Sequence, residues 1–417
     1  MIVKRLLLLA LLVSGCGYQG GASANPAVPI PTSHNTASIK HIVVIMMENR
    51  SFDSYFGVFP GANGIPSNPT CNPDPQSGKC ILPFHDTALQ NFGGPHSQQD
   101  MINDLDGGKL DGFVMSAEKP PGPIVNPDEV MGYHTAAELP YYWRLASTYT
   151  LADNHFAATA SWSTMEHLFL VSGWSAKCTV NGDPMSCTSS NTVSPNNADY
   201  AWTDITWLLH AHGISWGYYV YAHGLLMVND QGDGEGPNAT GASGWNPLPN
   251  FDDVRIDGES ANIQAGSNFI SAATAGTLPD VSWVVPPFAT SDHPSTSVAK
   301  GQAFVKKQID AVESGPDASS TLILLTWDEW GGFYDHVVPP TVDGLGYGFR
   351  TPLIIIGPMV KQHFIDHQLL SSDAYLKLIE DVFLGSERID ANDGRQDSRP
   401  DVRENTPGLG DLRNDLK

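Results

Sequence analysis

The sequence predicts an α/β fold in which a central, largely parallel β-sheet is flanked by helices. Three apolar segments, residues 39–47, 321–327 and 352–358, are hydrophobic at odd and even positions alike. This pattern is typical of strands that are buried on both faces of a sheet. Residues 297–315 show helical spacing of their valines and isoleucine, and residues 373–385 also read as a helix. Strands that alternate with helices indicate parallel neighbours in an α/β protein.

The other predicted elements are shorter. Residues 135–149 predict a helix that an interior proline starts or kinks, and residues 205–213 predict a short helix that ends at a glycine. Strands are expected at 214–221 and 281–286. Residues 224–265 are rich in Gly, Asn, Pro and Asp and predict a long surface excursion.

The N-terminus reads as an export signal. Residues 1–15 place two basic residues before an apolar run that is too short to span a membrane, which predicts a signal peptide. The letters VSGC, ending at Cys16, resemble the bacterial lipobox and predict a diacylglyceryl anchor on Cys16. Residues 16–37 would then be a tether. The alternative is an ordinary secreted or periplasmic protein with an incidental cysteine.

The composition indicates a globular domain and excludes some partners. Forty glycines and 31 prolines predict long loops, while 41% hydrophobic residues are enough for a large core. The formal charge is −23, and removal of residues 1–15 would make it −25. Such a charge argues against nucleic acid or an anionic membrane surface as the main partner. An anionic substrate would need a locally positive pocket, which a metal ion supplies most simply.

Four further cysteines form two close pairs, each nine residues apart, Cys71 with Cys80 and Cys178 with Cys187. In an oxidising compartment these pairs predict two structural disulfides that close turn-rich loops. A metal site is the competing interpretation, but neither pair has the tight spacing of metal-binding cysteines. Residues 388–417 are polar and broken by prolines, and predict a loosely packed tail.

Polar side chains follow two of the predicted strands directly. Glu48 and Asn49 follow the first strand, and Asp328 and Glu329 follow the strand 321–327. If the two strands are parallel neighbours, these four groups meet at the edge of the sheet where α/β proteins bind ligands. Clustered carboxylates repel one another, and hard oxygen donors suit a divalent cation. The sequence therefore predicts one divalent metal ion of unknown identity, although each acid could instead pair with an arginine.

Four segments together resemble a known family: HIVVIMMENRSFDSYFG, GGPHSQQD followed by DGGKLDGFV, SWVVPPFATSDHP and TWDEWGGFYDHVVPP. They are similar to the bacterial phosphoesterase family of phosphatidylcholine-type phospholipases C and acid phosphatases, which has an alkaline-phosphatase-like fold. The resemblance runs from about residue 39 to residue 385 and implies a catalytic domain at 38–387. It implies the same metal ligands and adds three active-site histidines, His96, His293 and His336.

The resemblance also implies a nucleophile. The family carries a Ser or Thr in a motif reading roughly Gly-Pro-Thr/Ser-x-Pro-Asn-Arg, and alignment of the apolar stretch after it places Ser163 at that position. Here Met165-Glu166-His167 replaces Pro-Asn-Arg, so Thr164 and Ser161 remain alternatives. A purely structural interpretation makes Ser163 a helix N-cap, with Glu166 completing a capping box.

The sequence thus predicts an exported hydrolase that cleaves phosphate esters through a phosphoseryl intermediate. Its substrate is either a phospholipid-like phosphodiester, cut as by a phospholipase C, or a phosphate monoester. The alternative is a non-catalytic cell-surface binding protein on the same scaffold. Arg50 would contact phosphate or pair with an acid such as Asp53. Aromatic residues in 215–224 and 328–334 would form a choline cage or, more simply, belong to the core. Nothing in the sequence indicates the oligomeric state.

Overall fold

A computed structural model of the chain describes residues 36–118, 126–195, 198–221, 242–392 and 395–417. The predicted signal peptide at 1–15, the lipobox cysteine Cys16 and most of the tether at 16–37 lie outside these residues. Across the described ranges, none of the helices has both the length and the apolar character needed to cross a membrane.

Eight strands within the described residues form the central sheet. In chain order they are β1 (His41–Met47), β2 (Thr150–Ala152), β3 (Trp216–Val220), β4 (Ile263–Ala265), β5 (Val281–Val285), β6 (Thr321–Trp327), β7 (Leu353–Ile356) and β8 (Phe364–Asp366). Across the sheet they lie in the order β4-β3-β5-β1-β6-β7-β2-β8. Among these eight, β7 alone runs antiparallel to its neighbours. The predicted α/β fold with a largely parallel sheet is confirmed.

Helices cover both faces of this sheet. They are α1 (Phe52–Phe56), α2 (Gln98–Leu105), α3 (Phe113–Ala117), α4 (Pro140–Thr148), α5 (Ser163–Ser172), α6 (Ile205–His212), α7 (Asp252–Ile256), α8 (Ser267–Ala275), α9 (Val298–Glu313) and α10 (Asp373–Phe383). Alternate residues of β1 point to opposite layers: Val44 packs with α5, α6 and α10, and Ile45 packs with α4, α8 and α9. Burial of each such side chain stabilises the fold by roughly 1.5–3 kcal/mol.

The two strands that carry the predicted metal ligands are parallel neighbours. Every residue of β1 pairs with one of β6, from His41 opposite Thr321 to Met47 opposite Trp327. Because the last residues of the two strands are paired, the polar residues that follow them emerge at the same level of the sheet edge. The backbone N–H of Asp328 then donates to the carbonyl of Met47 at 3.0 Å.

Most predicted elements are present with small changes of boundary. The helix expected at 135–149 begins at Pro140, because proline is tolerated in the first helical turn. The disulfides Cys71–Cys80 and Cys178–Cys187 are both formed, the second joining two short antiparallel strands, Ala176–Cys178 and Cys187–Ser189. Two further small sheets pair Asn72–Asp74 with Lys79–Ile81 and Phe84–His85 with Gly132–Tyr133.

The surface excursion expected at 224–265 is wrong for its described part. Residues 222–241 lie outside the described ranges, but residues 242–265 include α7, strand β4 and the fully buried Leu248 and Phe251. These apolar residues pack against Trp202 and α6 in one layer of the core. Gly, Asn and Pro in this segment form the turns between buried side chains.

The loosely packed tail expected at 388–417 is also wrong. Arg399 and Arg403 are almost fully buried, and Leu412 packs in the core layer of α5 and α10. Arg399 donates to the carbonyl of Ser172, the last residue of α5, at 3.0 Å, and Arg403 donates to the carbonyl of Ala158 at 2.5 Å. Buried guanidinium groups therefore hold this polar segment against the C-terminal end of α5 and against the loop that precedes that helix.

Candidate active site

The turns after β1 and β6 bring the four predicted metal ligands together. Asn49 adopts a left-handed backbone conformation with φ of 56°, and its N–H donates to Asp328 Oδ1 at 2.7 Å. Its side-chain amide donates to Glu329 Oε1. Gly331 has a φ of 64°, and a Cβ atom there would lie 2.5 Å from the carbonyl oxygen of Asn49. The close approach of the two turns therefore requires glycine at this position.

The carboxylates in this cluster are buried and crowded. Glu48, Asn49, Asp328 and Glu329 are each at most 2% exposed. Burial raises the pKa of Glu48 well above its usual value, and the nearby charges of Asp328 and Glu329 raise it further. Burial also raises the pKa of Asp328. Glu48 Oε2, Asn49 Oδ1 and Asp328 Oδ2 are buried without a hydrogen-bond partner among the described residues.

Ser163 lies at the carboxylate cluster. It is the first residue of α5, after the extended Trp162, and its side chain lies beside the carboxylates of Glu48 and Asp328, where it lowers the pKa of both. The positive end of the helix dipole and the free N–H groups of the first turn also lie at this point. Trp162, rather than Ser163, is the N-cap residue, so the capping-box interpretation is wrong.

The two alternative hydroxyls have other surroundings. Ser161 donates to the carbonyl oxygen of Asn191 at 3.1 Å. The hydroxyl of Thr164 is buried and has no hydrogen-bond partner among the described residues. Of the three candidates, Ser163 is the hydroxyl that contacts the cluster of acids in the described structure.

The residues that depart from the family motif take part in the site. Glu166 reaches back and accepts hydrogen bonds from the N–H groups of Ala158 at 2.8 Å and Thr159 at 3.0 Å, which holds the loop before Ser163. His167 is fully buried, and its Nε2 lies 3.1 Å from Glu48 Oε1. Burial lowers the pKa of His167 to about 3, so its ring is neutral at pH 7.

Sequence reasoning missed His167 as a site residue. The signal was its position four residues after Ser163, because residues at i and i+4 of a helix share one face. Once Ser163 is placed beside Glu48, the same face of α5 carries the imidazole to the same carboxylate.

His96 and His293 lie next to each other beside the cluster. Their ring centres are 5.9 Å apart, and His96 Nε2 is 3.7 Å from Glu329 Oε1. His293 Nδ1 is 2.9 Å from the carbonyl oxygen of Pro294, so Nδ1 carries the hydrogen. Burial lowers the pKa of His293 to about 3. Its Nε2 is therefore a lone pair, buried and without a hydrogen-bond partner among the described residues.

His336 lies in a second cluster. Its Nδ1 is 2.6 Å from Asp53 Oδ2 and its Nε2 is 3.4 Å from the side chain of Asn63. Arg350 donates to Asp53 and, through two nitrogens, to Asp335. In the described residues, the hydrogen bonds and ion pairs of His336 connect it to this network and not to Ser163 or to the other two predicted histidines.

Arg50 does not pair with Asp53, and that expectation is wrong because Arg350 occupies the carboxylate. The Nε of Arg50 donates to the hydroxyl of Tyr55 at 3.0 Å, and its guanidinium lies 4.5 Å from the ring centre of Phe333. Its two terminal nitrogens are buried without a hydrogen-bond partner among the described residues.

The aromatic residues expected to form either a cage or core are core residues. Tyr221 is partly buried and packs against the core. The other six are at most 3% exposed, namely Trp216, Tyr218, Tyr219, Trp330, Phe333 and Tyr334. A different pair lies beside the site. The ring centre of Trp245 is 6.5 Å from that of His167 and 6.3 Å from that of His293, and Phe288 is 5.0 Å from His293.

These donors fit a divalent cation. Ligand atoms of Glu48, His167 and Asp328 all lie within 4.8 Å of one another, and Asn49 Oδ1 is a further oxygen without a partner in the described residues. Both oxygens of Glu329 accept hydrogen bonds, one from Asn49 and the other from the N–H of Gly331 at 2.6 Å. Glu329 therefore orients the turn as well as adding negative charge.

Comparisons with known proteins show which family the chain belongs to. Residues 39–384 match the model of the Phosphoesterase family. The chain is 27% identical to the non-hemolytic phospholipase C of Burkholderia pseudomallei, over 86% of this chain and 57% of that protein. It is 28% identical to phospholipase C B of Mycobacterium tuberculosis, over 85% of this chain and 75% of that protein. The chain thus spans little more than half of the first relative. Among solved structures, it is similar to a Vibrio parahaemolyticus protein in the alkaline phosphatase superfamily, with a TM-score of 0.35 and 12% identity over 71% of this chain and 78% of that one.

Proposed function

The chain belongs to the phosphoesterase family, and from that premise we propose that it is a metal-dependent enzyme that hydrolyses phosphate esters with Ser163 as its nucleophile. The observation that carries this proposal is the position of Ser163. Its hydroxyl lies at the N-terminus of α5 beside Glu48 and Asp328, two buried carboxylates that each keep one oxygen without a hydrogen-bond partner in the described residues.

The proposed reaction has two displacements at phosphorus. Ser163 Oγ attacks the phosphorus atom, a phosphoserine forms, and the bond to the leaving oxygen breaks. Water then attacks the phosphoserine, and its Oγ–P bond breaks to release phosphate or a phosphomonoester and to restore the hydroxyl. The N–H groups at the start of α5 point toward the place where phosphoryl oxygens would lie, and they stabilise negative charge there.

Protons must move in both steps. Ser163 loses its proton on attack, and Asp328 and Glu48 lie within hydrogen-bonding reach to receive it. The lone pair on His293 Nε2 suits an acceptor that orients the attacking water through a hydrogen bond. His96, beside the carboxylate of Glu329, suits a donor to the leaving oxygen. Arg50, with two unpartnered nitrogens in the described residues, suits a contact to phosphate.

A divalent ion held by Glu48, Asn49 and Asp328 would lower the pKa of the serine hydroxyl and offset charge on the phosphoryl group. The carboxylates of Asp328 and Glu329 raise the pKa of Glu48, and a bound cation would offset this repulsion.

The substrate and the cellular location are part of the proposal. The relatives named phospholipase C support a phospholipid or similar phosphodiester, and a phosphate monoester is the second candidate. We propose export through the signal peptide at 1–15 and a lipid anchor on Cys16. The two disulfides support this, because structural disulfides persist in oxidising compartments.

The test is hydrolysis of a chromogenic phosphate monoester, a diester and a phosphocholine ester, each with and without added divalent metal. Wild type is compared with Ser163→Ala and with Ser161→Ala, a matched control that removes a hydroxyl bonded to Asn191. Metal-dependent turnover that is lost in Ser163→Ala and kept in Ser161→Ala is expected. Activity that survives in Ser163→Ala would move the nucleophile to Thr164, or to Ser161 if Ser161→Ala is the inactive variant.

The binding-protein alternative has lost its main support. It rested on the replacement of the family motif by Met165-Glu166-His167, and two of these residues now contact the site or the loop beside it. Absence of turnover of all three esters by protein with a filled metal site would still favour a binding protein.

A further inference from the structure

His167 occupies the motif position at which the resemblance expects arginine, and its contacts assign the hydrogen on its ring. The hydroxyl of Tyr218 donates its one hydrogen to the carbonyl oxygen of Trp245 at 2.7 Å. Toward His167 Nδ1, 3.4 Å away, the tyrosine oxygen is therefore an acceptor. A hydrogen of the imidazole therefore lies on Nδ1, so Nε2 is the ring nitrogen whose lone pair can coordinate a cation.

That lone pair faces a carboxylate. His167 Nε2 is 3.1 Å from Glu48 Oε1, and both side chains are fully buried. Two acceptors at this separation repel each other unless a positive charge lies between or beside them. Donor atoms bound to one ion at about 2.0–2.2 Å are about 3.0–3.4 Å apart, which matches the observed separation. Asp328 completes a group whose ligand atoms lie within 4.8 Å of one another.

We propose that His167 Nε2 is a direct ligand of the metal ion, together with Glu48 and Asp328, and that this chain prefers a transition metal such as Zn²⁺, Co²⁺ or Fe²⁺ over Ca²⁺ or Mg²⁺. The inference rests on the proposed function only in requiring an ion at this site. Imidazole nitrogen suits Zn²⁺, Fe²⁺ and Cu²⁺, whereas Ca²⁺ and Mg²⁺ select oxygen ligands. An arginine at the same position offers donors only and cannot coordinate a cation.

The test measures coordination rather than turnover. Metal-free full-length protein is loaded with Cu²⁺ as a probe, and pulsed EPR records coupling to the remote nitrogen of a coordinated imidazole. Wild type is compared with His167→Gln, and His155→Gln is the matched control. His155 is likewise buried with a pKa of about 3, and it hydrogen-bonds with Tyr375 away from the site. Calorimetric titrations of each protein with Zn²⁺ and with Mg²⁺ measure the two dissociation constants, whose ratio gives the metal preference.

The imidazole coupling is expected in wild type and His155→Gln and absent in His167→Gln, where the preference for Zn²⁺ over Mg²⁺ falls at least tenfold. Coupling that persists in folded His167→Gln, or is absent from wild type, overturns the proposal. If His167→Gln does not fold, loss of the coupling in His96→Gln or His293→Gln overturns it, and retention in both supports it. Protein that shows the coupling but hydrolyses no ester refutes the proposed function and leaves the ligand assignment standing.

Discussion

Removal of the metal ion should destabilise the protein, and the loss should grow as the pH rises. The reason is the cluster of Glu48, Asp328 and Glu329, in which burial and mutual repulsion raise the pKa of Glu48 well above 4.5. A carboxyl group whose pKa is higher in the folded state than in the unfolded state stabilises the fold below the unfolded-state pKa. That contribution is lost as the pH rises through the folded-state pKa. In the metal-free protein, ionisation of these groups therefore lowers the free energy of unfolding, and a bound ion offsets this loss.

The size of the effect follows from mass action. A ligand at 100 times its dissociation constant stabilises the folded state by about 2.7 kcal/mol. For the folded unit His34–Lys417, an unfolding entropy of about 2.1 cal/mol/K per residue amounts to about 0.8 kcal/mol/K. Chelation should then lower the midpoint of thermal unfolding by about 3 °C near neutral pH, and by less near pH 5.

The assay is thermal unfolding of wild type and Glu48→Gln at pH 5, 6.5 and 8, each with excess metal and with chelator. Glu48→Gln removes one charge at nearly constant volume, so its metal-free form should be more stable than metal-free wild type at pH 8. Added metal should raise the unfolding midpoint of Glu48→Gln much less than that of wild type. Equal unfolding midpoints of wild type with metal and with chelator at all three pH values would refute the reasoning.

Three further predictions concern parts of the fold outside the metal cluster. Trp330 donates a hydrogen bond to Asp104, and burial raises the pKa of this carboxyl to about 8. The free energy of unfolding of wild type should therefore fall by up to about 1.4 kcal/mol per pH unit between pH 5 and 8, and Asp104→Asn should remove this dependence on pH. Urea unfolding of wild type and Asp104→Asn at several pH values measures this dependence. The same slope of unfolding free energy against pH in both proteins would contradict the prediction. Arg403→Ala leaves the buried carboxylate of Asp373 without its cation and should cost about 3–5 kcal/mol. The control is Arg413→Ala, whose ion pair with Asp411 is 27% and 25% exposed and whose second partner, Asp381, keeps Lys377 and Arg388; it should cost about 1 kcal/mol or less. Replacement of both Cys178 and Cys187 by serine opens a loop whose ends are nine residues apart, and should lower the free energy of unfolding in urea by about 2.5 kcal/mol. An unchanged free energy of unfolding would show that other contacts hold the loop.

The sheet could be predicted from sequence where strands are long and buried on both faces. The segments that became β1 and β6 have apolar side chains throughout, and their parallel pairing follows from the α/β pattern. The strands β2, β4 and β8 have three residues each, which is too short for any periodicity to show. The reversed direction of β7 depends on the path of the chain between β6 and β7, and local sequence does not specify it.

The C-terminal segment, residues 388–417, shows a second limit of prediction from sequence. Composition predicts a solvated tail, because arginine and aspartate are rarely buried without partners. In the structure, the partners of Arg399 include the carbonyls of Ser172 and Thr203, at 3.0 and 2.7 Å. These acceptors lie about 200 residues away in the sequence, so only the fold reveals that burial costs the guanidinium little.

The segment after Ser163 shows the most consequential limit. Compared with a motif, Met165-Glu166-His167 is a loss of three expected residues and argues against catalysis. In space, Glu166 restrains the loop that leads into α5, and His167 meets the same carboxylate that Ser163 contacts. The substitutions therefore change the surroundings of Ser163 and Glu48, while the acids at the ends of β1 and β6 meet at one edge of the sheet. Of the three residues, His167 is the one that reaches the carboxylate cluster, so this helix can alter the cluster while the sheet that positions Glu48 and Asp328 stays the same.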